Sequence, residues 1–189
     1  MSNSVLEESY KKQAEALEAF YLAEEAYKHE SIKAATYHLD KLFEVIYEGL
    51  YDVLKIIPFN KLIKLSICLN RFSNLLATYE KNKWLADGDH SLETQILKSY
   101  WKAQHEGVAF PLEKYRQSIK EKEELEVFLY IVAQLVGDIE MQKAYLLTVC
   151  SSNSYHIGAL AQLMSLGVEP NLLQLKKLYE NEEALFKKF

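Results

Sequence analysis

Apolar residues recur every three or four positions along nearly the whole chain, the spacing that collects side chains on one face of an α-helix. Leu6, Tyr10, Ala14, Leu17, Tyr21 and Ala26 trace the first such face, with Glu7, Glu8, Glu15, Glu18, Glu24 and Glu25 on the others. Ser4 and Glu7 have capping-box spacing, so the first helix is predicted from Ser4 to about His29. Ser31 is a candidate cap for a second, in which Leu39, Phe43, Ile46, Leu50, Val53 and Ile57 alternate four- and three-residue steps. Pro58 suits the first turn of a third, where Leu62, Leu65, Leu69, Phe72, Leu76 and Tyr79 form a matching seam. Two matched seams around so short a break predict an antiparallel hairpin. A single helix kinked at Pro58 is the alternative.

Residues 84–91 read as a loop. Leu92, Ile96, Tyr100 and Ala103 mark the next helix, which should end near Gly107, where glycine can take the left-handed cap conformation. Pro111 opens another, charged over 113–126 and apolar nearly all round over 127–136, and Gly137-Asp138 closes it. Shorter helices are expected over 139–150 and from Ile157 to Leu166. Gly167 and Pro170 then set off a last stripe of Leu172, Leu175, Leu178, Tyr179, Leu185, Phe186 and Phe189.

These elements predict an all-α fold, a compact multi-helix bundle of about eight helices. A single domain over 1–189 is expected, with 84–91 as the place where it could divide. The nine residues Leu163-Met-Ser-Leu-Gly-Val-Glu-Pro-Asn171 are similar to a unit of ankyrin-type helical repeats, without that family's tight-turn motif. The resemblance implies the alternative architecture, a short α-solenoid of helical hairpins.

Composition narrows the class further. The chain has six glycines and three prolines among 189 residues, where an average chain would hold roughly 22 of the two together. Turn-rich β architectures are therefore excluded. An apolar content of 49% supports a sizeable core. The net charge is −5, and only Arg71 and Arg116 among the 22 basic residues are arginines. Arginine is the side chain that forks onto guanine edges and phosphates, so sequence-specific nucleic acid is not an expected partner. Lysine in its place also fits the genome composition of a bacterial source.

Residues 58–83 reverse the sign, with Lys61, Lys64, Arg71, Lys81 and Lys83 against Glu80 alone. Such a segment can bind an anionic membrane surface. Complementarity with the acidic N-terminal helices of the same fold is the favoured account. The N-terminus lacks the apolar core of a signal peptide, and the longest apolar run, 127–136, is shorter than the roughly 20 residues of a membrane span. The expected location is the cytoplasm, and signal-independent secretion remains compatible with the sequence. Cys68 and Cys150 lie in apolar stretches and read as small buried hydrophobes.

Candidate chemistry is sparse. Glu-x-x-His pairs, His-Glu-x-x-His, glycine-rich phosphate loops and a Walker lysine are all missing. Asp87-Gly-Asp-His90 with Glu93 concentrates ligand atoms but lacks the calcium-loop pattern, so Asp89 or Ser91 is read as a helix cap. No cofactor and no metal site are predicted. His29 and His105 each precede a glutamate at a predicted helix end, where an imidazolium suits the dipole. His156 stands near Cys150 and Ser154 without an oxyanion-hole motif.

Trp84, Tyr100 and Trp101 lie near loops and are the candidate partner-binding residues, since tyrosine and tryptophan anchor interfaces. The resulting expectation is a non-enzymatic helical protein–protein interaction module of adaptor, chaperone or bacterial effector type, whose partner is another protein. The alternative is a helical-bundle enzyme or ligand-binding protein with an internal apolar pocket, for haem as an example, lined by His38 or His105.

Overall fold

The computed structural model describes residues 3–47, 55–169 and 171. Among these residues the chain forms nine α-helices and one 3-10 turn, with no strand. The helices are α1 (Asn3–Lys28), α2 (Ile32–Tyr47), α3 (Phe59–Cys68), α4 (Phe72–Lys81), α5 (Leu92–His105), α6 (Leu112–Ser118), α7 (Lys122–Leu135), α8 (Ile139–Ser152) and α9 (Ile157–Ser165). The 3-10 turn, Lys83–Ala86, precedes the loop into α5. No helix among the described residues is long and apolar enough to cross a membrane.

The all-helical architecture agrees with the apolar spacing, but four local expectations are corrected. Ser4 lies inside the first turn of α1, which already includes Asn3, so it is not the cap. The hairpin forms one step earlier than predicted, with α2 folded back along α1 rather than α3 along α2. Nor does a kinked helix pass through Pro58, because Ile57 is a bend and Pro58 is the cap of α3. Leu50 and Val53 of the predicted seam, and the stripe from Leu172 onward, lie outside the described residues.

The other two corrections are breaks inside predicted helices. The seam from Leu62 to Tyr79 is cut at 69–71, where Asn70 takes a left-handed φ of 59°. The cut delivers Arg71 to Asp40 of α2, with Nε donating at 2.7 Å and the second guanidinium nitrogen at 3.1 Å. Arg71 is 3% exposed and Asp40 partly buried, so this forked contact is a part-buried ion pair. The predicted helix opening at Pro111 likewise splits into α6 and α7. A capping box at Glu121 and Glu124 starts α7, and the Glu124 carboxylate also accepts from the Lys120 amide.

α3 is the hub. All its residues except Asn60, Lys61 and Lys64 are buried, and it packs against α4, α5, α7 and α9. The approach of α9 is so close that a Cβ at Gly158 would run into the carbonyl of Ile67. Asp89 tethers the other end of α3, accepting from the Asn60 amide at 3.1 Å as well as from Ser91 and Thr94. Burial pushes the Asp89 carboxyl up, but these hydrogen bonds outweigh it and hold it below the ordinary carboxylate range. Of the two candidate caps, Ser91 caps α5, while Asp89 satisfies an amide in the first turn of α3. One cluster of buried side chains draws on all nine helices and lies on both sides of residues 84–91.

The basic segment spends much of its charge internally. Lys61 pairs with Glu24, Lys64 with Glu93 and Arg71 with Asp40, while the apolar stripe of the segment enters the core.

Two substitutions test these joints. Arg71→Met takes the partner from the part-buried Asp40 and is expected to cost about 1–3 kcal/mol in urea unfolding. The double variant with Asp40→Leu should recover much of that loss. Gly158→Ala forces α9 off α3 and should cost about 1–3 kcal/mol, read as a lowered Tm.

Candidate functional site

Two recesses flank the hub. The first is an open groove of about 400 Å³ between α4 and α5. α4 supplies Ser73, Leu76, Ala77 and Glu80, spaced so that they share one helical face. α5 supplies Tyr100, Trp101, Gln104 and His105 in the same manner. The aromatic wall is firmly seated. Tyr100 packs on Phe72 at 5.5 Å between ring centroids, and Trp101 meets Tyr79 edge-on at 6.2 Å. Lys83 Nζ lies 3.5 Å above the centre of the Trp101 ring, and His105 leans on the same indole at 4.6 Å. The indole N–H has no acceptor among the described residues.

The structure therefore brings Tyr100, Trp101 and His105 together. Trp84 stands apart from that groove, 40% exposed in the 3-10 turn with Lys55 over its ring. His38 is half-buried on α2 against Tyr37, and His105 is exposed on α5. Neither lines the larger recess.

That larger recess is a cleft of about 600 Å³, bounded by the end of α1, by α3, by the first turns of α7 and by the α8–α9 connection. A polar network crosses its floor. Asn153 Nδ2 donates to the Tyr27 hydroxyl at 2.8 Å, and that hydroxyl also shares a hydrogen bond with the Cys68 thiol. Ser152 Oγ donates to Glu126 at 3.0 Å, and Asn153 reaches the same carboxylate. Burial pushes the Glu126 carboxyl above its ordinary value, partly offset by these donors and by Lys122 at 3.9 Å.

Cys68, His156 and Asn153 all line the cleft, three residue types that elsewhere cooperate in thiol catalysis. Their wiring here is different. Burial pushes the Cys68 thiol up to about 12, and its hydrogen-bond partner is Tyr27 rather than an imidazole. Cys150 is also buried and also pushed up to about 12. Both cysteines are free, and at neutral pH both are thiols, not the nucleophilic thiolate. His156 is wholly buried, and its Nδ1 accepts from the Ala159 amide at 3.0 Å as the cap of α9. Burial pushes its pKa down to about 4, so the ring is neutral with its proton on Nε2. Among the described residues, no three His, Cys, Asp or Glu side chains converge to hold a metal ion.

No family model, curated protein or solved structure matches this chain.

The cleft residues Tyr27, Cys68, Glu126 and Asn153 are absent from the sequence expectation. Tyr27 and Asn153 are 126 positions apart, and no local spacing connects them. One signal was present: Glu126 is an acid directly abutting the apolar run 127–136, and a charge at the edge of a buried helix demands donors.

The capping histidine has a pH signature. The unfolded imidazole binds a proton below about pH 6.5, whereas the folded one resists until about 4. Its stabilising contribution is complete above 6.5 and is lost as pH falls toward 4. Unfolding free energy should drop by about 2–3 kcal/mol between pH 7 and 4.5 through this group. His156→Asn, which keeps a capping side chain, should flatten that drop in urea titrations.

Proposed function

We propose that this chain is a non-catalytic interaction module that binds a helical segment of another protein in the groove between α4 and α5. The observation that carries the reading is the pair of facing ridges. Ser73, Leu76, Ala77 and Glu80 on one side, and Tyr100, Trp101, Gln104 and His105 on the other, present about two helical turns each. A groove of this form receives the apolar face of an amphipathic helix. Trp101 is the anchor. Its ring is fixed by Tyr79, Lys83 and His105, so little rotamer freedom remains to be lost on binding. Leu76 and Ala77 give the floor its apolar surface, and Glu80 and Gln104 give it a polar rim. The two buried thiols and the neutral capping histidine favour binding over covalent catalysis. An adaptor, chaperone or bacterial effector acting in the cytoplasm fits this reading.

A photo-crosslinker at Gln104 should form adducts with a protein partner, and one at Lys98 should form far fewer. Trp101→Ala is expected to weaken the captured complex by about 2 kcal/mol, some thirtyfold in Kd. Gln104→Asp, on the exposed rim, should weaken it without lowering Tm. Recovery of small molecules only, or full adduct yield in the Trp101→Ala chain, would sink the proposal.

A further inference from the structure

The first apolar stripe of the chain is not the face that α1 buries. α1 turns Ala16, Ala19, Phe20 and Ala23 to the core. Leu6, Tyr10, Ala14, Leu17 and Tyr21 follow one another at steps of three or four residues and lie along a different side of the helix. Leu6 is 37% exposed, Tyr10 66% and Tyr21 50%, while Ala14 is exposed and Leu17 partly buried. From Asn3 to Glu15 no side chain of α1 is buried. A helical stretch with so little packing gains stability from a partner laid along its apolar stripe.

The stripe is complementary to itself. From Tyr10 to Tyr21 its steps are four, three and four, the spacing of a two-helix seam. Two copies of α1 running antiparallel, with a two-fold axis between Ala14 and Leu17, set each Ala14 against a Leu17 and each Tyr10 against a Tyr21. Small then meets large at the centre, and an aromatic pair closes each end. Lys11 and Glu18 are seven residues apart, and each directly follows a stripe residue, so both border the seam on the same side. Antiparallel pairing brings Lys11 of each copy beside Glu18 of the other. A parallel pair would set like beside like. Both side chains are exposed, and neither is in a hydrogen bond or ion pair among the described residues.

We propose that α1 pairs antiparallel with α1 of a second copy of this chain along Tyr10, Ala14, Leu17 and Tyr21, with Lys11 and Glu18 bridging the two copies on the flank. The seam is about 17 Å long and one helix, about 10 Å, wide. Such a strip falls short of the roughly 800 Å² per partner of a standard interface, so the dimer is weak and reversible. It is separate from the α4–α5 groove, to which α1 contributes no residue.

The test is sedimentation equilibrium of the full chain across micromolar and sub-millimolar concentrations. The mean mass should climb from one chain toward two. Lys11→Glu and Glu18→Lys, each alone, set like charges across the seam twice and should weaken the dimer about tenfold. The double variant restores both pairs with their signs exchanged and should recover the affinity of the unaltered chain. Thermal melts check that the variants fold. Trp101→Ala should leave the dimer intact, which separates it from binding in the groove. A mass that stays at one chain throughout overturns the proposal, whether another segment of the chain or a foreign protein then covers the stripe. A double variant that dimerises no better than either single variant overturns it as well.

Discussion

Ten residues, Phe59–Cys68, hold the rest of the fold in register. α3 is too short to persist alone in water, since isolated helices need about 12–15 residues even in favourable sequences. Its helicity is a product of being enclosed by α4, α5, α7 and α9. The enclosure is exacting on one side, where the backbone of α9 rests on the Ile67 carbonyl and leaves no space for a side chain. On the other side, Arg71 leaves the end of α3 and grips Asp40, joining the hub to the α1–α2 hairpin. Fusing α3 and α4 into one helix would move Arg71 off that line. The left-handed residue at Asn70 is the cost of keeping it there.

Both recesses derive from this arrangement. α3 lies beneath the cleft and lends it Lys61 and Lys64, while its neighbours α4 and α5 stand apart enough to leave the aromatic groove. The two differ in chemistry. The groove is aromatic and apolar with a thin polar rim, and its rings are locked by stacking. The cleft has a polar floor beneath side chains of both charges, and its hydroxyl, thiol and carboxylate groups are already hydrogen-bonded. The groove is made from the surfaces of two helices, whereas the cleft also draws on the connection between α8 and α9.

The helical class and most of the joints were legible because they depend on local chemistry. Pro58, Gly107, Pro111, Gly137, Gly167 and Ser91 mark helix ends by φ preference or by a capping hydroxyl, and such signals act within a turn. The break at Lys120 was not legible, since lysine carries no comparable punctuation, and the break at Asn70 was overlooked although asparagine takes the left-handed conformation more readily than most residues. The break at Asn70 places the next residue, Arg71, on a partner 31 positions away, Asp40. The groove was partly legible, as Tyr100, Trp101 and His105 sit within two turns of one helix. Its α4 wall was hidden inside a seam that read as continuous core. The cleft was illegible, being assembled from four separate stretches of chain.

The contact between Gly158 and Ile67 also sets an order of events during synthesis. The hairpin of α1 and α2 is local and can form as soon as it emerges. The hub cannot be sealed then, because its last wall is encoded some ninety residues downstream of α3. Until α9 arrives, Ile67 and its neighbours present apolar surface that a holdase can recognise. The nascent chain therefore passes through an interval of exposure whose length is fixed by the distance from residue 67 to residue 158.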